Sequence, residues 1–150
     1  MEFTYRKAES SDRQRIAELY EEMLRTIHHC EDVEGYREGY LDKFFSAGDD
    51  LIYVAQLREE VVAFLSVEVY GEEGYVYLDD LSVTAECRNN GIGSKLIMMA
   101  EDYSRSIGIY TIVFHVDKTN EKAHQLYRKL GYLDNEDQGK RMRMVKELRE

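Results

Sequence analysis

The stretch "CRNNGIGSKLIMMA", Cys87–Ala100, sets two glycines, Gly91 and Gly93, just ahead of an apolar helical run. Glycine lacks a Cβ and lets backbone approach a ligand closely. The first N–H groups of a helix are unpaired donors at the positive end of its dipole. Together these features predict a phosphate seated on the loop. Two familiar phosphate loops fit poorly. A Walker A loop requires G-x-x-x-x-G-K-S/T, whereas "GIGSK" lacks the first glycine and puts its serine before the lysine. A Rossmann loop requires G-x-G-x-x-G after the first strand of a βαβ unit, whereas here the third position is Leu96 and the loop follows a fourth strand. What remains is Arg-x-x-Gly-x-Gly: Arg88, Gly91 and Gly93. The N–H groups of Asn89, Asn90, Gly91, Ile92, Gly93 and Ser94 can cup a pyrophosphate, with Arg88 adding charge.

Outward from the loop, the pattern alternates strands and helices. "FTYRKA" (Phe3–Ala8) reads as a short strand. Ser11 and Gln14 have capping-box spacing, and Ile16, Leu19, Tyr20, Met23, Leu24 and Ile27 follow at helical intervals. A second helix is expected over 33–45, with Tyr36, Tyr40, Leu41, Phe44 and Phe45 on one side. "LIYVAQL" and "VVAFLSVEVY" form a hairpin around "REE", and "GEEG" leads into a third strand, "YVYLDDLSV" (Tyr75–Val83). The helix after the glycines ends near Gly108. "YTIVFHV" (Tyr110–Val116) is a buried strand, so that strand, helix and strand make a right-handed parallel crossover with its ligand at the carboxyl ends of the strands. Asn120 caps a further helix carrying Ala123, Leu126, Tyr127 and Leu130, closed by Gly131. "KRMRMVKEL" is the last strand. The expected fold is an α/β sandwich on a mixed sheet.

Composition bounds the function. One domain spanning 1–150 is expected from 150 residues without proline or a Gly/Ser linker. Hydrophobic residues make up 43% and charged residues 33%, and no apolar run is long enough to span a bilayer. "MEFTYRKAESSD" has no signal-peptide character, so a cytoplasmic protein is expected. Cys30 and Cys87 are far apart and read as reduced thiols. A formal charge of −10 disfavours nucleic acid. Residues 1–75 carry 18 acidic and 8 basic side chains, while residues 76–150 carry 12 of each. That split suits either a cationic substrate facing the first half or plain solubility.

"LSVTAECRNNGIGSKLI" resembles the acetyl-CoA-binding signature of the GNAT superfamily of N-acetyltransferases, whose core is R/Q-x-x-G-x-G/A. "NEKAHQLYRKLGY" (Asn120–Tyr132) resembles the same family's second signature, an asparagine-capped helix with an alanine and a tyrosine before a Leu-Gly-aromatic ending. The resemblance implies a mixed, mostly antiparallel sheet, helices on both faces, and a central parallel pair that splays into a cleft. It also implies acetyl-CoA as co-substrate, with its pyrophosphate on Arg88–Ser94 and its pantetheine arm along the backbone of Leu81, Ser82 and Val83 like an added strand. Asn120, Ala123 and Tyr127 complete that coenzyme site, and no metal is implied.

For the chemistry, Tyr127 matches the family tyrosine that protonates the departing thiolate, and a backbone N–H near Val83, where the family strand bulges, stabilises the developing oxyanion. "YLDDLSV" puts Asp79 and Asp80 on opposite faces of a regular strand. Asp79 matches the position often assigned as base, with Glu68 its rival. Asp80 is the candidate contact for a substrate ammonium, and Tyr36 belongs to an aromatic run where the family builds its substrate wall. His115 is either a second base or a wall histidine. "HHCED" (His28–Asp32) has metal-ligand residue types but reads better as a helix terminus. The acceptor implied is a small cationic amine. A peptide or protein N-terminus, or a non-catalytic acyl-CoA sensor, is the alternative, and the family's habits admit a homodimer.

Overall fold

The computed structural model describes residues 2–149. Seven strands form one sheet: β1 (Phe3–Lys7), β2 (Leu51–Leu57), β3 (Glu60–Tyr70), β4 (Tyr75–Val83), β5 (Thr111–Asp117), β6 (Leu133–Asp137) and β7 (Arg141–Glu147). Their order is β1-β2-β3-β4-β5-β7-β6. Every neighbouring pair is antiparallel except β4 and β5, which run parallel. Helix α1 (Arg13–His28) covers one face, and α2 (Ile92–Ser106) and α3 (Glu121–Lys129) cover the other.

The two faces have separate cores. Ile16 and Leu19 of α1, both fully buried, pack with Ile52, Val54, Val61 and Phe64 on one side. Leu96, Ile97 and Ala100 of α2 pack with Leu65, Val67, Val76, Leu78 and Ile112 on the other. Strands β2 and β3 alternate between these cores and are buried on both faces, which explains their nearly continuous apolar sequence.

Three local expectations are corrected. Helix α1 begins at Arg13, directly after a 3₁₀ turn at Ser10–Asp12, and its entry is organised by Asp12 rather than by Ser11 and Gln14. The Asp12 carboxylate accepts from the Glu9 N–H at 2.8 Å and from two guanidinium nitrogens of Arg6 at 2.8 and 3.0 Å. The expected helix over 33–45 shrinks to a 3₁₀ turn at Tyr40–Phe45, because Gly39 takes φ +81°, a left-handed conformation that breaks any helix entering it. Strand β6 was not anticipated, since "LDNED" is exposed throughout and carries no alternation.

At the end of α3, Gly131 adopts φ +99° and turns the chain so that Tyr132 is fully buried. Its ring stacks on Phe114, centroids 4.7 Å apart, and its hydroxyl donates to Glu101 at 2.7 Å. Lys146 donates to the same carboxylate at 3.1 Å and to the Leu130 carbonyl at 2.7 Å. Helices α2 and α3 and strand β7 are thereby tied around one buried charge. Such networks hold only when every member is satisfied.

Asp12 ties β1 to the start of α1, and its charged hydrogen bonds hold its pKa below the ordinary 3.8, Arg6 being the main cause. Its contribution is therefore present above that value and is lost as pH falls through the lower folded pKa. Asp12→Ala is expected to cost about 2 kcal/mol at neutral pH, measured by urea unfolding. The gap to the parent should narrow in acid below the ordinary carboxylate range.

Candidate active site

The parallel pairing of β4 and β5 lasts for only two residue pairs, Val76 with Ile112 and Tyr77 with Val113. Beyond them the strands part. Strand β5 stays paired to β7 along its whole length, and β4 stays paired to β3 as far as Val83. The gap is a narrow cleft bordered by Leu81, Asp79, Ile97, Phe114, His115 and Tyr127, among others.

One wall of the gap is bare β4 backbone. Ser82 lies opposite Phe64, and the Thr84 N–H donates to the Val62 carbonyl. Alternation in an antiparallel ladder then directs the backbone of Ser82 and Thr84 towards β3, and that of Leu81 and Val83 towards the cleft. Of the three residues expected to offer backbone to a coenzyme arm, Leu81 and Val83 turn theirs to the cleft. Ser82 does not, and its hydroxyl is spent on the Leu19 carbonyl at 3.1 Å. Arg88 Nε donates to the Val83 carbonyl at 3.1 Å, which folds the loop back onto the strand end.

The glycine loop has the form that a pyrophosphate requires. Asn89 and Gly91 have φ of +65° and +73°, a local twist that turns successive N–H groups the same way. The Asn90 side-chain amide donates to the carbonyls of Cys87 and Arg88 and braces the loop from behind. Among the described residues, the N–H groups of Asn89, Asn90 and Gly91 donate to no protein acceptor. Gly91 is the N-cap of α2 and has no atom within 4 Å of where a Cβ would stand, so its surface is open to a ligand. A Cβ on Gly93 would meet Leu81 at 3.5 Å, ordinary contact, so Gly93 brings the helix start close to the cleft floor. Ile92 is buried beneath the loop, and Ser94 follows in the first turn.

Tyr127 reaches the cleft from α3, which Asn120 caps by accepting from the Ala123 N–H at 3.2 Å. Ala123 packs on the core, so the cap and the alanine act together to fix the helix. The Tyr127 ring lies against Phe114, centroids 4.6 Å apart. Its hydroxyl has no hydrogen-bond partner among the described residues, and burial pushes its pKa up, so it keeps its proton at neutral pH.

The carboxylates are arranged by a bulge. Leu65 pairs with Leu81 and Val67 with Leu78, so Asp79 and Asp80 together oppose Ser66. The extra residue cancels the alternation, and both carboxylates turn towards the α1 face, contrary to the opposite-face expectation. The bulge therefore lies at Asp79–Asp80 and not near Val83, and the Asp80 N–H leaves the ladder to donate to Ser66 Oγ at 2.9 Å. Tyr36 donates to Asp80 at 2.7 Å and Tyr40 to Asp79 at 3.0 Å. The two rings stack, centroids 4.8 Å apart, and Tyr20 stacks on Tyr36 at 3.8 Å. Tyr36 thus enters the site as the donor that aims Asp80. The segment over 33–39 forms no helix, yet it delivers Tyr36 to the aromatic wall.

Glu68 joins this group from β3. It is buried, bridged by the Lys43 ammonium, and accepts from Tyr70 at 3.1 Å. Three carboxylates crowd against one ammonium. Burial and then the neighbouring Asp79 push Asp80 up to about 6, and burial and then Glu68 raise Asp79. Burial with Asp80 or Asp79 alongside raises Tyr36 and Tyr40, so both remain phenols and donors. Tyr40 was read from sequence only as a member of the aromatic run, Lys43 was not singled out, and Tyr77, which bonds His115, was missed altogether. His28, His29 and Cys30 are exposed at the end of α1, and among the described residues no group of three or more metal-ligating side chains is placed to hold an ion. Among the same residues no helix is long and apolar enough to cross a membrane.

Residues 14–132 match the profile of the acetyltransferase (GNAT) family. An uncharacterized N-acetyltransferase of Methanocaldococcus jannaschii is 28% identical over 130 residues, which cover 86% of this chain and 77% of that protein. Spermidine N(1)-acetyltransferase of Escherichia coli K12 is 25% identical over 133 residues, covering 79% and 72%. The PaiA N-acetyltransferase from Thermoplasma acidophilum, solved in complex with coenzyme A, shares the fold with a TM-score of 0.81 at 20% identity, over 98% of this chain and 99% of that one. The splayed β4/β5 pair, the glycine loop and the capped α3 all lie within the matched residues, and the chain belongs to the acetyltransferase (GNAT) family.

Proposed function

We propose that the protein transfers an acetyl group from acetyl-CoA directly to the primary amine of a small cationic acceptor. The observation that carries this reading is the carboxylate pair Asp79 and Asp80, turned to one face by the bulge, with Asp79 bordering the cleft that Tyr127 also borders. The Arg88–Ser94 loop and the Leu81 and Val83 backbone suit a coenzyme pyrophosphate and arm, and when bound, that coenzyme supplies the activated acetyl group. An incoming ammonium meets three carboxylates whose charge is offset only in part, by Lys43 and, at Asp79, by Arg141, and it is drawn to the mouth by charge. Asp79 holds it beside its deprotonation path, Asp80 and Glu68 contribute field, and the tyrosine wall bounds the acceptor's body. Tyr127, kept protonated by burial, donates to the leaving thiolate. The spermidine acceptor named for the Escherichia coli relative supports the same reading. In this reading the chain works as one unit, 1–150, with the cleft and the carboxylates on one sheet.

Thiol release from acetyl-CoA, followed across polyamines, aminoglycosides, amino acids and short peptides, tests the proposal. Turnover is expected with one class of small cationic amine. Tyr127→Phe should lower kcat about 100-fold and Asp79→Asn should mainly raise the amine KM. Turnover confined to peptides would instead make the acceptor a polypeptide amine, and a silent panel with coenzyme bound would make the protein a sensor.

Asp80 supplies an independent check. Its folded pKa, about 6, lies above the ordinary 3.8, so the ionised form is held at a cost in the folded state. That cost is full above the folded pKa and fades as pH falls towards the ordinary value. Asp80→Asn is therefore expected to have a higher Tm than the parent at pH about 7.5, with the difference shrinking below pH about 6, while its affinity for the amine drops. An unchanged Tm together with unchanged affinity would remove Asp80 from the site.

A further inference from the structure

Tyr77 is the last β4 residue paired to β5, opposite Val113, and His115 lies two residues further along β5, where the strands have parted. The Tyr77 hydroxyl and His115 Nδ1 are 2.6 Å apart. A side-chain hydrogen bond therefore crosses the opening at the point where backbone bonding stops. His115 borders the cleft together with Asp79 and Tyr127, the carboxylate and the phenol already assigned to the chemistry.

The direction of that bond follows from its surroundings. Tyr77 has no second hydrogen-bond partner among the described residues. Burial first and the charge of Asp79 next push its pKa up to about 12, so it remains a phenol. Its one proton points at Nδ1, and His115 carries its own proton on Nε2. Arg143 stands opposite His115 on β7, with Arg141 nearby. Burial first and these two arginines next hold the imidazole below its ordinary 6.5, against weaker opposing pulls from Gln138 and Glu136. At neutral pH the ring is uncharged and its Nδ1 lone pair can take a proton.

We propose that Tyr77 and His115 form the proton exit of the acetyl transfer, an inference that rests on the reading of the function given above. An ammonium and a thioester become an amide, a thiol and one free proton. As the N–C bond forms and the C–S bond breaks, nitrogen gives up two protons. Tyr127 delivers one proton to sulfur and is reprotonated from nitrogen. The other passes to the Tyr77 oxygen while the Tyr77 proton moves to His115 Nδ1. The phenol is restored, and the imidazolium then loses its proton to solvent. Asp79 and Asp80 are left free to hold the substrate by charge, which they could not do while carrying its proton.

The test is kcat at saturating amine between pH about 5 and 9 for the parent, Tyr77→Phe, His115→Gln and His115→Ala, with free imidazole added to the last. His115→Gln is expected to lower kcat about 100-fold and to remove the acid limb that rises through the imidazole pKa. Imidazole should restore part of the rate to His115→Ala, which a merely structural role would not allow. Tyr77→Phe, which removes a single oxygen, should cut kcat about tenfold with the amine KM unchanged. An active parent whose His115 variants keep kcat within about twofold, or lose it with the acid limb intact and no rescue, would overturn the relay alone. An unaltered kcat in Tyr77→Phe would overturn it as well. A parent that acetylates no amine would sink the relay together with the reading on which it rests.

Discussion

Parallel pairing between β4 and β5 stops after two residue pairs, and the rest of the site depends on that interruption. Neither strand can close the gap. Strand β5 is held by β7 over its full length, and β4 is held by β3 on either side of a bulge. The cost is a row of β4 backbone groups without a ladder partner, and unpaired backbone is tolerated only where something else satisfies it. The Arg88 guanidinium covers one carbonyl, at Val83. The others face a cleft with a glycine loop at one end and Tyr127 on its far wall.

The electrostatics of the acceptor side depend on the same strand. A regular β4 would send Asp79 and Asp80 to opposite faces and divide their charge. The bulge gathers them with Glu68 on one face, where burial first and repulsion from neighbouring carboxylates next raise the proton affinity of Asp79 and Asp80, and Lys43 offsets only part of the charge. Two phenols donate into the pair and fix its orientation without neutralising it. The site is thus a high-energy arrangement maintained by the sheet, of the kind expected where function competes with stability.

Much of this was readable before any coordinates. The glycine loop, the crossover, the capped α3 and its tyrosine all follow from spacing and residue type. The bulge was also legible, though it was missed: along β4 the apolar residues Val76, Leu78, Leu81 and Val83 are spaced two, three and two apart, and the slip of one marks the inserted residue. Charge balance was a poorer guide. Two of the three carboxylates at the mouth come from the half of the chain that is neutral. Strand β6 left no signal, because an exposed edge strand is specified by its partner β7 and not by its own pattern. The helix expected over 33–45 failed at Gly39, where a left-handed turn outweighed a convincing aromatic stripe. The Tyr77–His115 bond could not be foreseen, because it joins residues 38 positions apart whose meeting depends on where the two strands diverge.

The bare edge of β4 has a consequence for the protein's behaviour in a crowded solution. An unpaired strand edge at the rim of a sheet is a template on which other chains can assemble, and proteins blunt such rims with charge, bulges or covering segments. Here the unpaired length from Leu78 to Val83 is recessed in the middle of a seven-stranded sheet, with β5 and β7 beyond it and helices on both faces. A folded neighbour cannot bring a whole strand to it, whereas a thin flexible arm can thread in lengthwise. The fold keeps an adhesive surface available for a narrow ligand and out of reach of aggregation.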